Sequence, residues 1–227
     1  MTSQWGLEWV AEDSLMVRCL KPEHTQHLTA LEAHCHRHYR AQLLDTVLAY
    51  DSLLLVFTTT AVSAPGFLAA LTATLAAADG SVLPASPSRL HRLPICYDPE
   101  FALDLADISA HTGLSPQGII SAHQNTEYSV VAMGFSPGFA YCGTVPPCLT
   151  MPRKAHPRTH VPAGSVAIAD HQTAIYPQAS PGGWHILGRC PVALFDATQP
   201  IAQASLLHTG DRVRFFAIER AQFEHWV

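Results

Sequence analysis

Proline and glycine interrupt the apolar sequence between Val130 and Arg189 so often that only short strands fit there. Runs of strand length, such as the one from Val130 to Met133, are repeatedly followed by segments that contain both residue types. Glycine permits positive φ and close backbone approach, whereas proline fixes φ and removes a hydrogen-bond donor. The pattern therefore predicts a stack of short strands joined by rigid loops, where binding sites usually lie.

The composition indicates a folded protein with a substantial core, since 48% of the 227 residues are hydrophobic. A net charge of -5 with 13 scattered Lys and Arg residues offers no basic stripe for a nucleic acid and no polybasic membrane anchor. The six cysteines form no C-x-x-C pair, the N-terminal residues lack the pattern of a secretory leader, and no apolar run approaches the ~20 residues of a membrane span. We therefore expect buried thiols in a reduced, cytoplasmic compartment.

Two segments in the first third of the sequence have the spacing of helices with one apolar face. Thr25 is suited to cap the first helix, and Asp79-Gly80 to end the second, which begins near Pro65. The apolar positions predicted to face a sheet are Leu28, Leu31, Cys35 and Tyr39 in the first helix and Leu68, Leu71 and Leu75 in the second.

Four short strands accompany these helices, and the last two form a hairpin about Tyr50-Asp51. Ser52–Thr58 is apolar without alternation, which is typical of a central strand. The order of elements predicts an α+β unit with both helices on one face of an antiparallel sheet. The predicted strands are Leu7–Val10, Leu15–Cys19, Leu43–Ala49 and Ser52–Thr58.

The segment Ser81–Arg89 has no periodicity and is rich in proline and serine, so it is the best candidate for a domain boundary. We therefore predict a small α+β domain over residues 1–84 and a second domain over residues 85–227. The second domain becomes almost entirely β after two short helices, which indicates a barrel or a sandwich. Its predicted elements include a strand at His91–Tyr97, helices at Glu100–His111 and from Ser115-Pro116 to near His123, and a last strand at Asp211–Glu219.

Six motifs, in their order and spacing, resemble those of the allophanate hydrolase subunit 1 family, and the likeness runs from about His91 to Phe216. Asp170 and Ala174 depart from that pattern, because glycines are common there in the family. The motifs are Gly134-Phe135-Ser136-Pro137-Gly138-Phe139, Pro152-Arg153, Pro157-Arg158, Val161-Pro162-Ala163-Gly164-Ser165-Val166, Tyr176-Pro177 and Pro181-Gly182-Gly183-Trp184.

The resemblance implies a cyclophilin-like β-barrel for the second domain and an enzymatic role for the whole chain. The family includes one component of the bacterial ATP-dependent 5-oxoprolinase, which acts with A-type and C-type partners to open 5-oxo-L-proline to L-glutamate. The C-type partner is of the allophanate hydrolase subunit 2 type. The family also includes an inhibitor of a sensor histidine kinase, and related domains occur in urea carboxylase. A kinase inhibitor without chemistry of its own and a urea or allophanate pathway component therefore remain alternatives.

Arg153 and Arg158 are the candidates for holding anions in such a reaction, because a guanidinium presents a planar fork to a carboxylate or a phosphate. Lys154 is a weaker candidate. The alternative is that these side chains only tie loops to carboxylates. His123 could act as a general acid or base near neutral pH, with a helix C-terminus favouring its charged form, or it could simply cap that helix.

The remaining candidates are expected to bind substrate rather than to react with it. Gly182 and Gly183 could lay backbone N–H groups against an anion with Trp184 as a wall, or they could form a tight turn before a buried tryptophan. Tyr176 and Gln172 could line the same pocket or make hydrogen bonds at strand ends. Ser165 is a further candidate, although the absence of a G-x-S-x-G sequence argues against a nucleophile.

No metal is predicted in this chain. His34 and His38 are four residues apart and would share one helix face, but no third ligand is evident, so solvated helix surface is the better account. The sequence also lacks a P-loop, a G-x-G-x-x-G sequence and a kinase-like set of motifs. If ATP is consumed, we expect a partner protein to bind it.

Overall fold

The computed structural model describes residues 5–20, 26–77 and 88–226. These residues form two compact units that divide between residues 87 and 88. The predicted cap at Thr25, the predicted helix end at Asp79-Gly80 and most of the predicted boundary at Ser81–Arg89 lie outside the described residues, and so does the side chain of Leu68. No described helix is long and apolar enough to cross a membrane.

The strands of the first unit pair in an antiparallel manner, and its described residues also form helices, as predicted for an α+β unit. With strands numbered along the chain, neighbouring strands are hydrogen-bonded in the order β1-β2-β4-β3. The elements are β1 (Trp5–Ala11), β2 (Ser14–Cys19), α1 (Gln26–His38), β3 (Leu43–Ala49), β4 (Ser52–Phe57), α2 (Thr59–Val62) and α3 (Phe67–Ala77). α1 and α3 correspond to the two predicted helices, and the short α2 was not predicted.

The core of the first unit forms where the helices cover one face of that sheet. Leu53, Leu55 and Phe57 alternate along β4 and are fully buried. The predicted inner positions Leu28, Leu31, Cys35, Leu71 and Leu75 are also fully buried, whereas Tyr39, which follows α1, is only partly buried. Burying each of these leucines stabilises the unit by roughly 1.5–3 kcal/mol relative to exposure. β4 lies between two strands as predicted, but the expectation of burial without alternation is wrong, because the intervening side chains are only half-buried. The helices cover one face only.

The second unit is built around a mostly antiparallel sheet. Its strands run in the order β5-β13-β6-β7-β10-β9-β12, in which only the β5–β13 pair is parallel, and β8 and β11 form a separate pair. The elements are β5 (Leu90–Ile95), α4 (Leu105–Thr112), α5 (Pro116–Gln124), β6 (Glu127–Met133), β7 (Ala140–Gly143), β8 (Arg158–Val161), β9 (Ser165–Ala169), β10 (Gln172–Ile175), β11 (Ser180–Gly182), β12 (His185–Arg189), α6 (Ile201–Ala204), β13 (Arg212–Ala217) and α7 (Arg220–Trp226).

Two hydrogen bonds join the ends of this strand path. Cys96 follows β5, and its N–H donates to the carbonyl of Arg189 at the end of β12 at 2.8 Å, while the N–H of Arg189 donates back at 2.9 Å. The first and last strands of the path are therefore linked directly.

Local hydrogen bonds determine where the helices α4 and α5 of the second unit begin. Ser115 caps α5 as predicted, because its hydroxyl accepts the N–H of Gly118 at 3.1 Å. The prediction of a helix from Glu100 is wrong: the N–H groups of Phe101 and Ala102 bond to the carbonyl of Asp98 in a turn, and α4 begins at Leu105. The C-terminal helix α7, which the sequence analysis did not predict, follows β13 directly.

The turn between β8 and β9 depends on Gly164. Its φ is 79°, and an added Cβ would collide with the carbonyl oxygen of Cys190. The backbone of Gly164 donates to the carbonyl of Tyr176 at 2.7 Å and accepts from the N–H of Cys190 at 2.8 Å. The glycine thus lets three chain segments approach closely and fixes the position of the loops that follow.

Candidate functional site

Asp104 is the centre of a charged cluster in the second unit. Its side chain is 1% exposed and lies at the N-terminus of α4. It accepts two hydrogen bonds from Arg158, at 2.6 and 2.7 Å, one from Lys154 Nζ at 2.8 Å and one from the N–H of Ile186 at 2.7 Å. Burial alone would raise the pKa of Asp104, but these donors outweigh it and hold the pKa below its usual value. The carboxylate is therefore ionised and ties α4, β8 and β12 together.

Arg158 is turned towards Asp104. Both terminal nitrogens of its guanidinium donate to the two carboxylate oxygens in a bidentate pair, and its side chain is 25% exposed. The geometry favours the structural alternative for this arginine, since the fork that would hold an external anion already holds Asp104.

Arg153 is arranged differently from Arg158. Its side chain is 61% exposed, its Nε lies 3.4 Å from a carboxylate oxygen of Asp170, and its guanidinium lies 5.9 Å from the ring centroid of Trp184. Asp170 adopts a φ of 51°, in the left-handed region that non-glycine residues rarely occupy. Arg153 therefore keeps an accessible guanidinium that is supported by a ring and a carboxylate.

Arg153 borders two hollows. The smaller one, which we call the aromatic pocket, has a volume of about 100 Å³ and brings together four predicted substrate-binding residues. Phe139 packs edge-on against Trp184 and Tyr176, with ring centroids 6.0 and 5.4 Å apart. The aromatic pocket is lined by Phe135, Phe139, Tyr141, Arg153, Tyr176, Pro181, Gly182, Gly183 and Trp184.

Gly182 gives the aromatic pocket its shape through its lack of a side chain. A Cβ at this position would collide with the hydroxyl of Tyr176. The backbone of β11 therefore lies directly against the tyrosine, which supports the interpretation of the Gly182-Gly183 segment as a close wall of the pocket.

The larger hollow, which we call the polar cavity, has a volume of about 390 Å³. Lys154 lies at its edge, where its ammonium contacts Asp104 at 2.8 Å and Asp107 at 3.4 Å. Its wall also contains three histidines, one of which, His185, is buried on β12. The polar cavity is lined by Asp107, His111, Met151, Pro152, Arg153, Lys154, Ala155, His156 and His185.

His185 and Asp104 are site residues that were not predicted from the sequence. His185 follows the Gly-Gly-Trp motif directly, and that adjacency was the only signal available for it. Asp104 lies inside the predicted helix Glu100–His111, and an acidic residue within a helix is usually exposed to solvent. Its role depends on donors that are 50 to 82 positions away in the sequence.

His123 lines neither hollow, so it is not placed to act as a general acid or base there. It is fully buried, and its ring stacks on Phe215 with centroids 4.7 Å apart. Thr173 donates its hydroxyl hydrogen to a carbonyl at 3.1 Å, so it accepts from His123 Nε2 at 3.0 Å, and Nδ1 accepts from the hydroxyl of Tyr97 at 3.0 Å. Burial lowers the pKa of His123 to about 3, so the predicted effect of the helix C-terminus is overridden.

Ser165 and Gln172 lie away from both hollows. Ser165 is buried at the start of β9, where its carbonyl accepts the N–H of Tyr176 at 2.9 Å. Gln172 begins β10, where it pairs with Gly143 and Ala169. The positions of both residues favour roles in the sheet.

One group of three described residues has the composition of a cation site. Oxygen atoms of Asp104 and Asp107 and a ring nitrogen of His185 lie within 4.8 Å of one another. The oxygens of Asp104 already accept four hydrogen bonds, and the ammonium of Lys154 contacts both carboxylates. The arrangement does not fit a metal ion, because a protein cation already holds the place that the metal would need. His34 and His38 share a helix face as predicted, with their rings stacked 4.0 Å apart.

Comparison with protein families gives a match over most of the chain. The sequence model of the carboxyltransferase domain, subdomain C and D, matches residues 5–207.

Curated relatives match a shorter part of the chain. The 5-oxoprolinase B subunit of Bacillus subtilis (strain 168) is 41% identical over 135 residues, which are 60% of this chain and 55% of that protein. The 5-oxoprolinase B subunit of Escherichia coli O157:H7 is 44% identical over 128 residues, or 56% of this chain and 58% of that protein. The matched segments thus span little more than half the length of these relatives.

Solved structures extend the likeness to the fold. The protein TTHA0988 superposes with a TM-score of 0.75 at 36% identity, over 91% of this chain and 40% of that one. The Kluyveromyces lactis urea carboxylase superposes with a TM-score of 0.70 at 17% identity, over 99% of this chain and 22% of that one, a likeness of fold alone. A mostly antiparallel sheet with several helices is common to this set.

Proposed function

The chain belongs to the family of the carboxyltransferase domain, subdomain C and D, and from this membership we propose that it is the B-type component of an ATP-dependent 5-oxoprolinase. The curated relatives that support the proposal are 41% and 44% identical and are named as B subunits of 5-oxoprolinase. In this proposal the chain opens the lactam ring of 5-oxo-L-proline to give L-glutamate, together with A-type and C-type partner proteins. ATP is consumed by the complex and held by one of these partners, in the cytoplasm.

We also propose the finer architecture that the family resemblance implies. Residues 1–84 and 85–227 are two domains, and the second is a cyclophilin-like barrel. The hydrogen bonds between Cys96 and Arg189, which join the two ends of the strand path, support a closed sheet.

The observation that carries the function is that Arg153 lines both the aromatic pocket and the polar cavity. We assign the carboxylate of 5-oxo-L-proline to this guanidinium, which is accessible and is steadied by Trp184 and Asp170. The aromatic pocket forms the wall that orients the substrate. The residues assigned to this wall are Tyr176, Gly182, Gly183 and Trp184.

The lactam ring is assigned to the polar cavity, because an amide needs both a donor and an acceptor and this cavity offers both. Lys154 has three N–H groups, of which Asp104 and Asp107 account for two, so one is available for the lactam oxygen. A cationic donor at this oxygen stabilises negative charge as the carbonyl is phosphorylated or attacked. Arg158 and Asp104 act by positioning Lys154, and His123, Ser165 and Gln172 act by supporting the sheet.

The proposal is tested by producing the chain together with its A-type and C-type partners and measuring glutamate formed from 5-oxo-L-proline, with and without ATP. We expect Arg153→Ala to raise KM about tenfold or more, because a charge-assisted hydrogen bond to the carboxylate is lost. The control is Arg212→Ala, which removes an exposed arginine paired with Glu127 at 2.9 Å. A complex that forms no glutamate with the unaltered chain, or equal kinetics for the two variants, would refute the assignment.

A further inference from the structure

Phe135 adopts a backbone conformation that a bulky residue rarely takes. It lies in the loop between β6 and β7, and its φ is 68°. The N–H of Ser136 donates to the carbonyl of Gly134 at 2.8 Å, which makes Phe135 the central residue of a γ-turn with positive φ. Turns of this kind are rare and strained, and such strain is concentrated at sites that bind ligands.

The same loop is fixed on both sides of Phe135. The N–H of Gly134 donates to the carbonyl of Phe139 at 3.2 Å, which closes the loop at its two ends. Gly138 has a φ of 79°, and an added Cβ there would collide with Phe195, so this part of the loop lies directly against the segment around Phe195. These contacts fix the point from which the Phe135 ring projects.

The side chain of Phe135 is accessible at the edge of the aromatic pocket. Phe135 is 60% exposed, whereas Phe139 and Tyr176 are buried. The Phe135 ring makes T-shaped contacts with these two rings, at centroid distances of 5.1 and 6.2 Å, and all three rings line the aromatic pocket. Phe135 therefore supplies the accessible apolar surface of this group, which an occupant of the pocket can contact.

The size of the aromatic pocket limits what it can hold. Its volume of about 100 Å³ is that of roughly three water molecules, so it takes part of a substrate rather than the whole. The ring of 5-oxo-L-proline has a polar edge, formed by the lactam N–H and carbonyl, and an apolar edge, formed by two methylene groups. In the proposed function the carboxylate binds Arg153 and the polar edge faces Lys154. The apolar edge is then left for the aromatic pocket, which Arg153 also lines.

We propose that Phe135 determines specificity by covering the two ring methylenes of the substrate. The inference rests on the proposed function, which it deepens by naming the residue that recognises the apolar edge. Removing this edge from water favours binding, and the methylene next to the carbonyl carries a partial positive charge that the face of an aromatic ring attracts. A ligand with a polar group in place of that methylene leaves the group without a hydrogen-bond partner and binds more weakly.

Two substitutions of Phe135 remove the ring and suit its backbone. In Phe135→Gly the γ-turn is free of strain, because glycine adopts positive φ readily. This relief offsets the loss of a mostly exposed ring, so the unfolding temperature should not fall. Phe135→Asn is a second variant, since asparagine also tolerates this φ. The matched control is Tyr50→Gly, because Tyr50 is 51% exposed, has a φ of 54° and lines neither hollow.

The measurement is the dissociation constant of the assembled complex for two ligands, 5-oxo-L-proline and L-2-oxoimidazolidine-4-carboxylate, in which an N–H replaces the methylene next to the carbonyl. We expect the unaltered complex and Tyr50→Gly to bind 5-oxo-L-proline about tenfold more tightly than the analogue. In Phe135→Gly and Phe135→Asn this ratio should fall to about two, because 5-oxo-L-proline loses its apolar contact. An unchanged ratio in these variants, or equal affinities in the unaltered complex, would overturn the inference.

Further readouts separate this role from others. A lower unfolding temperature in Phe135→Gly with an unchanged ratio would make Phe135 a residue of the scaffold. Failure of both Phe135 variants to assemble, followed by size-exclusion chromatography, would assign the ring to a partner contact and also overturn the inference. If Phe135→Gly alone does not fold, Phe135→Asn decides by the same ratio. If the unaltered complex forms no glutamate, the proposed function itself fails, whereas glutamate formation with an unchanged ratio refutes only the role of Phe135.

Discussion

At the scale of single residues, burial decides which charged groups are part of the scaffold and which are available. Asp104 is buried and forms a bidentate pair with the partly buried Arg158, whereas Arg153 remains exposed beside Trp184. Breaking a buried pair by removing one partner is strongly destabilising, because the other charge is left without compensation. Stability measurements therefore distinguish these residues without any assay of activity.

Asp104→Asn should lower the free energy of unfolding by about 3 kcal/mol, because Arg158 and Lys154 lose their shared carboxylate. Denaturant unfolding measures this loss. Asp107→Asn is the matched control: its exposed carboxylate contacts Lys154 at the longer distance of 3.4 Å, so the loss should stay below about 1 kcal/mol. Equal losses in the two variants would contradict the central position given to Asp104.

His123 makes stability depend on pH. Its pKa is about 3 in the folded protein and 6.5 in the unfolded chain, so between these values the unfolded state binds more protons. Its contribution is therefore complete above the unfolded pKa and is lost as pH falls, by roughly 2.5 kcal/mol between pH 6 and pH 4. The free energy of unfolding of His123→Gln should lack this part of the pH dependence. If the free energy of unfolding depends on pH in the same way in the variant and in the unaltered chain, His123 is not the source of this pH dependence.

At the scale of elements, the site depends on tight turns between short strands. Gly164 lets the turn between β8 and β9 lie against Cys190, and Gly182 lets β11 lie against Tyr176. The sequence predicted such turns correctly, because glycine spacing is a local property. It did not predict where α4 begins, because the turn at Asp98 competes with the helix there.

Gly164→Ala should destabilise the second unit by more than the ~1 kcal/mol expected from strain at positive φ alone, because the methyl group meets the Cys190 carbonyl. Gly113→Ala is the control, since its φ of 73° is similar and nothing lies within 4 Å of its added Cβ. Thermal unfolding compares the two variants. A larger shift for Gly113→Ala would show that steric closeness at Gly164 is not the decisive factor.

At the scale of the whole molecule, each unit has its own buried core. The core of the second unit contains Tyr128, Ile168 and Leu187 from different strands of its sheet, and all three are fully buried. A segment with its own hydrophobic core could in principle fold alone.

A fragment of residues 85–227 should therefore unfold in one cooperative thermal transition, followed by near-UV circular dichroism. A shorter fragment that begins at residue 105 is the control, because it lacks β5, which pairs with β13 and leads into the Cys96–Arg189 bonds. We expect the control to lack a cooperative transition. A non-cooperative melt of the longer fragment would contradict the two-domain proposal.

The local structure and the motif residues could be predicted from the amino-acid sequence. The inner faces of α1 and α3, the hairpin at Tyr50-Asp51 and the cap at Ser115 follow from spacing and turn chemistry, and the motifs supplied Arg153 and the wall around Trp184. These features depend on neighbours a few positions apart, so the sequence carries them directly.

Which charged groups face the hollows became evident only from the packed fold. Arg158 and Arg153 are similar in sequence context, yet one is bound to Asp104 and the other is exposed, and His123 lies in the core while His185 lies in the cavity wall. Asp104 meets its donors across 50, 54 and 82 positions of sequence. Packing of distant strands selects such partners, and a charge is retained in the interior only where those partners compensate it.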